Sequence, residues 1–301
     1  MARQEIDLTT PQPNGKMGEP TKSAWEKVND MTAEIYDSPG VSGSLSGENM
    51  LINCGVPINQ RKFPGGSLAA GAYGYDRWKA GPGGCNININ SSTGVFTHNS
   101  GSIQQVVENP TSAWGKPVTF SVENPSGTIS VNVGGSSATI SPGSGRQEIT
   151  VTPSGSGDMV VQITATSVTY LRPKLEIGSV STPFVGRSPA IELMICKRYY
   201  WRSGDFIPGN YMGVISGFIP SSSQSIASVG MFFPVTMRAK PSITTFNPND
   251  GSATTGLIIG SNNVAYQSIE YDESGIYQVN FPSPQAQGGA FILKVGLDAE
   301  L

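Results

Sequence analysis

One histidine in 301 residues is the sharpest scarcity in this chain. It removes most zinc centres, which draw several His or Cys ligands from close spacing, and leaves any Ser-His-Asp triad a single candidate base, His98. Charge is also scarce: 14% of residues are Asp, Glu, Lys or Arg, against roughly 25% in ordinary soluble domains. The net charge of -3 gives no general drive towards nucleic acid or an anionic membrane surface. No apolar run approaches the roughly twenty residues of a membrane helix, and the N-terminus lacks the apolar core of a secretory signal. Three scattered cysteines, Cys54, Cys85 and Cys196, form no CxxC pair and no disulfide framework. They are expected to be reduced and partly buried. GxxxxGK[ST], GxSxG and HExxH are absent, and no strand-turn-helix context supports GxGxxG. These gaps argue against an enzyme, and no cofactor or metal is expected.

Glycine and proline are what the chain has in excess, 37 and 22 residues. Both disfavour long helices, so short strands joined by turns are expected. Three domains are expected: 1–40, 41–187 and 188–301. In the first, three prolines and the Asn14-Gly15 turn signal predict an extended, irregular arm over 6–20. A helix follows, with Thr21 as candidate N-cap and Ala24, Val28, Met31 and Ile35 at helical spacing beside Trp25. Such a helix cannot build a core alone. It either packs on its own domain or docks on another protein or on copies of itself. VSGSLSGEN then reads as a linker.

The second region alternates in PVTFSVE, TISVNV, QEITVT and MVVQITAT. Ile129, Val131 and Val133 are predicted inward, with Thr128, Ser130 and Asn132 outward. Gly/Ser/Pro turns between such strands predict an antiparallel sandwich or jelly roll. The third region opens with a short helix in SPAIELMICKRYYWR, where Ile191, Met194, Ile195 and Tyr199 fall on related turns. GVISGFIP, SVGMFFPVTMR, PSITTFNPNDG, GLIIGSN, IYQVNF and AFILKVGLDAEL follow as strands, enough for a second sandwich with its last strand tied into a sheet. The expected fold is therefore all-β: an N-terminal extended arm and one helix, a jelly-roll β-sandwich, then a second C-terminal β-sandwich.

Several strings together resemble tail-fibre and baseplate-appendage proteins of tailed bacteriophages. IDLTTPQPNGKMGEPTKSAWEKVN is similar to their N-terminal attachment segment. NMLINCGVPINQRKFPGG, followed by YGYDRWKA, resembles the opening of a jelly-roll module often likened to carbohydrate-binding modules. LRPKLEIGSVSTPFVGRSPAIELMICKRYYWR resembles the exit of that module and the start of a tip domain, and FPVTMRAKPSITTF and LDAEL fit the same pattern. The resemblance implies a virion protein made in the host cytoplasm and commonly homotrimeric. It would attach to baseplate or tail proteins at one end and contact host polysaccharide or lipopolysaccharide at the other. It implies neither nucleic-acid binding nor membrane insertion. No shaft repeat lies between Tyr36 and Asn49, which implies a short fibre, or a bracket or adaptor that links other fibres to the baseplate without touching the host.

Sugar recognition needs apolar platforms and planar hydrogen-bonding groups. Trp114, among turn residues, and Trp201, Arg202 and Tyr211, in the densest aromatic-cationic stretch, are candidate ligand contacts. The aromatic cluster at 199–202 equally suits a packing role. YGYDRW has the same chemistry, but its Trp78 reads better as a core residue beside a satisfied ion pair. Ile6, Leu8, Trp25 and Val28 are candidate attachment residues, Ile6 and Leu8 as an added edge strand and Trp25 as an aromatic anchor. Acids are sparse in the β regions, and the Glu270-Tyr271-Asp272-Glu273 cluster reads as a solvated turn rather than a catalytic pair. His98 is expected at the surface.

Overall fold

The computed structural model describes residues 7–18, 20–37, 47–205, 209, 212–218, 226–254, 256–259, 262–281 and 290–301. Helix α1 (Thr21–Asp37) is followed by β1 (Gly66–Leu68), β2 (Lys79–Ile89), β3 (Phe96–Val107), β4 (Val118–Glu123) and β5 (Ile129–Val133). Next come β6 (Ser136–Ile140), β7 (Arg146–Val151), β8 (Met159–Thr164), β9 (Val168–Ile177), α2 (Pro189–Lys197), β10 (Tyr200–Arg202), β11 (Ile215–Phe218) and β12 (Ile226–Phe232). The last are β13 (Ser242–Phe246), β14 (Ala253–Thr254), β15 (Gly256–Ile259), β16 (Asn262–Ala265), β17 (Ser268–Tyr271), β18 (Gly275–Asn280) and β19 (Ala290–Asp298). The protein is all-β, with sandwich-type sheets consistent with a jelly roll. The chain forms two compact units: Met1–Leu51, Val107–Ile163 and Val168–Val185 in one, Ile52–Val106, Thr164–Ser167 and Gly186–Leu301 in the other.

In the first unit β4 lies between β7 and β9, and β5 between β6 and β8, all named pairs with β4 and the β5–β6 hairpin being antiparallel. The predicted alternation in β5 holds, with Ile129, Val131 and Val133 at most 1% exposed. Lys174 and Glu176, both buried on β9, pair at 3.0 Å. Glu176 accepts from Thr182 N at 2.8 Å and from its hydroxyl at 2.6 Å, while Lys174 donates to the Thr182 hydroxyl and to Pro183 O at 3.2 Å. Two opposite charges that satisfy one another this fully escape the desolvation cost of a lone buried ion and fasten the 178–183 loop to the strand.

The N-terminal arm corrects the expectation of an extended chain. Residues 7–18 close on themselves: Asp7 Oδ1 accepts from Thr9 N and Thr10 N, Gly18 N donates to Thr10 O at 2.8 Å, and Pro11 bridges Met17. Gly18 is required at that closure, since a Cβ there would meet Asp7 O at 2.9 Å and its φ is +90°. Helix α1 starts one residue earlier in its capping than expected, because Ala24 N donates to Pro20 O. The side chains of Met31 and Ile35 lie outside the described part.

The second unit is organised around β19. This strand pairs with β10, β11, β13 and β15 along its length, and Phe291, Leu293, Val295 and Leu297 alternate into the core at 0 or 1% exposure. The predicted tie of the last strand into a sheet is therefore present. β18 lies between β12 and β17, and β2 between β1 and β3. Helix α2 opens on Ser188, whose hydroxyl accepts from Ile191 N, and Pro189 occupies its first position. Its inward face differs from the expected one: within the helix Cys196 is fully buried, whereas Ile191 and Met194 are more than half exposed; Tyr199, just past the helix, is buried as expected.

His98 is a second correction. It sits on β3 with no exposed surface, and its Nε2–H donates to Gly101 O at 3.0 Å. Gly101, at φ +80° within the same strand, offers that carbonyl to the ring nitrogen, which satisfies a polar side chain that sequence alone assigned to solvent.

All three cysteines are free and buried, and burial pushes the Cys85 thiol up to about 11 and the Cys196 thiol higher still. A thiol kept neutral and covered is a poor nucleophile. Native protein is expected to give no reaction with Ellman's reagent, and three thiols are expected to appear on unfolding in guanidinium.

Candidate functional site

Four distant strings converge in the second unit. Arg61, from NQRKFPGG, lies 3.7 Å from the centroid of the Tyr200 ring and 5.0 Å from that of Tyr73. Its guanidinium pairs with Asp298 at 2.9 Å, Glu300 at 3.4 Å and Asp76 at 3.5 Å. Arg77 stacks on Tyr199 at 3.6 Å, pairs with Glu300 and donates to Val106 O. The Gln60 carboxamide donates to Asp76 Oδ2 at 2.8 Å and to Tyr200 O at 2.7 Å. Trp78, 2% exposed, donates its ring N–H to Asn53 O, so the core reading of YGYDRW is correct. Arg77 holds φ +69°, a left-handed conformation that costs a non-glycine residue free energy and that these contacts enforce. The cluster is structural, and its neighbours lie around a surface cleft.

That cleft, about 300 Å³, is lined by Pro57, Asn59, Phe63, Pro64, Tyr75, Asn88, Ile89, Asn90 and Ser91. Its geometry begins with β2. In CNININSS the alternation sends Ile87 and Ile89 inward at 2 and 3% exposure and turns Asn86, Asn88 and Asn90 outward. Asn86 is committed, bonding Ser67 Oγ at 3.1 Å and Asn99 Nδ2 at 2.8 Å. Asn90 Oδ1 caps a turn through Ser92 N and Thr93 N. Asn59 clamps its own loop, bonding both Phe63 N and Phe63 O. The Asn88 carboxamide makes no hydrogen bond to another described residue and lies over Gly65, where a Cβ would come within 2.4 Å of its nitrogen. In the same lining Phe63 packs edge-on to Tyr75 with centroids 5.3 Å apart and is half-buried, while the buried Tyr75 hydroxyl accepts from Ile89 N. The cleft thus offers an aromatic ring, two prolines and an uncommitted carboxamide.

The residues singled out from sequence lie elsewhere. Trp114, in the first unit, is half-buried, donates to Gly157 O at 2.9 Å and covers Gly134 and Gly155, where a Cβ would come within 2.7 and 3.0 Å of its ring. Trp201 and Arg202 are adjacent in the second unit. Trp201 packs against Phe233 with centroids 5.9 Å apart, and Arg202 donates to Gln60 O at 2.9 Å and Gly204 O at 2.6 Å. Leu8 and Trp25 are 76 and 63% exposed, and Val28 is half-buried on α1. Tyr211 and Ile6 lie outside the described residues. Phe63 and Asn88 were missed, although the alternating amides of NININ carried the signal for the second. Among the described residues no group of His, Cys, Asp and Glu is placed to hold a metal.

The buried charges make two predictions. Glu300→Gln leaves Arg77 and Arg61 short of a counter-charge in a dry site, and a loss of about 3–5 kcal/mol in urea unfolding is expected. Burial raises Asp76 to about 6, above the ordinary 3.8, despite Gln60 and Arg61, and with Glu300 adding to the rise. Its stabilising contribution is complete below pH 3.8 and lost as pH rises through 6. Burial lowers His98 to about 4 from 6.5, so its contribution is complete above pH 6.5 and lost as pH falls through 4. Each amounts to roughly 3 kcal/mol, and between pH 4 and 6 they oppose. Relative to wild type, Asp76→Asn is expected to make stability climb more steeply with pH over that window. His98→Gln is expected to make it fall, both read from urea midpoints.

No family model matches the chain and no curated protein is similar to it, so the resemblance to phage tail fibres and baseplate appendages rests on the quoted strings themselves.

Proposed function

We propose that the protein is a non-enzymatic virion component, a short tail fibre or baseplate appendage that adheres to host surface glycan. The observation that carries the adhesive half is the cleft of the second unit, whose lining holds both the Phe63 ring and an uncommitted Asn88 carboxamide. Ring faces take the apolar C–H side of a sugar, and a carboxamide supplies both a donor and an acceptor to its hydroxyls. The attachment half is supported by Leu8, Met17 and Trp25, apolar side chains 76, 64 and 63% exposed on a preformed loop and the helix after it. Exposed aromatics of this kind commonly anchor protein interfaces.

Adhesion of this type works by multiplicity. A cleft this small supplies weak contacts, and a homotrimer, the assembly the resemblance implies, presents three copies on one particle. Binding several sites on one surface then raises the apparent affinity by orders of magnitude without any new contact.

Full-length protein passed over immobilised bacterial lipopolysaccharides and capsular polysaccharides is expected to bind at least one saturably. Its mass by light scattering is expected to be that of a trimer. A folded oligomer that binds none of them would be a bracket within the particle instead, and adhesion would be wrong.

A further inference from the structure

The cleft lining has a property that the adhesive reading does not require: none of its nine residues is charged. The nearest cation along the chain, Lys62, lies outside the lining in an exposed surface pair with Asp205 at 3.3 Å, and Arg61 is consumed by Asp76, Asp298 and Glu300. Within the lining itself the groups left to a ligand are a carboxamide, a serine hydroxyl, an aromatic ring and two prolines.

An acidic sugar brought here would lose hydration around its carboxylate with no cation to replace it, which is costly. A neutral sugar loses only hydroxyl hydration, and Asn88 can return both a donated and an accepted hydrogen bond. The volume, about 300 Å³, stands at the small end of small-molecule sites and suits a chain end rather than a long stretch of polymer. Gly65 keeps the site open beneath Asn88, because any Cβ there would displace the carboxamide. We infer that this cleft binds the neutral terminal residues of a surface glycan, with Asn88 as the polar selector and Phe63 as the platform. This inference rests on the adhesive reading above and adds the class of sugar to it.

The test is calorimetric titration of the full chain with two sets of oligosaccharides. One set ends in glucose, galactose or N-acetylglucosamine; the other ends in a uronate or sialate. Neutral ends are expected to bind, with affinity unchanged between low and high salt because no ion pair forms. Asn88→Ala is expected to weaken binding roughly three- to tenfold, the worth of one or two hydrogen bonds. Asn88→Trp, which fills the cleft from an exposed strand position, is expected to abolish it. Thermal unfolding of both variants shows whether the fold is intact. Binding confined to acidic ends, or neutral binding indifferent to both substitutions in folded protein, would overturn the inference while leaving adhesion standing. Failure of the wild-type chain to bind any oligosaccharide or polysaccharide would overturn both.

Discussion

A charge network that cannot be exposed organises the second unit. Arg61 and Arg77 are held between tyrosine rings and answered by Asp76, Asp298 and Glu300. Burying these ions is costly unless every partner is in place, so the network forms as a whole or not at all. Forming it brings the loop that precedes β1, the turn before β2, the end of α2 and the residues after β19 to one point. The left-handed backbone at Arg77 and the register of β10 on β19 follow from that convergence.

The same arrangement explains why the surface cleft can be uncharged. Cations that flank it in sequence are turned inward or paired at the rim, and the face of β2 that borders it carries amides. A site of this kind recognises by shape and hydrogen bonding. Rigid walls matter more for it than strong single contacts, because ordering a loose loop would consume the modest free energy a few hydrogen bonds provide. Asn59, clamped to both sides of Phe63, and Tyr75, bonded to Ile89 N, supply that rigidity.

Four stretches of the strings quoted for the fibre resemblance have an identifiable physical job here. NQRKFPGG supplies Arg61 and the platform Phe63, YGYDRW supplies Asp76, Arg77 and the buried Trp78, RYYWR supplies the two stacking tyrosines, and LDAEL supplies both terminal carboxylates. Their chemistry is that of a core lock, whereas the candidate ligand contacts Trp201 and Arg202 are largely occupied by the protein itself.

Sequence by itself determined the all-β class, the alternation of β5, the short helix after Ser188, the core role of Trp78 and the tie of the last strand into a sheet. Each depends on periodicity or on local turn chemistry, which a chain states openly. It did not determine that His98 is buried, that residues 7–18 close into a loop or that Ile191 and Met194 face outward. Those outcomes depend on a carbonyl three residues on that takes the ring N–H, on hydrogen bonds across a turn, and on which side of a helix meets the core. The cleft belongs to the same class. The amides of NININ were legible, but which of them stays uncommitted depends on the turn after β2 and on the neighbouring strands that supply Ser67 and Asn99, and only the folded chain brings those partners within reach.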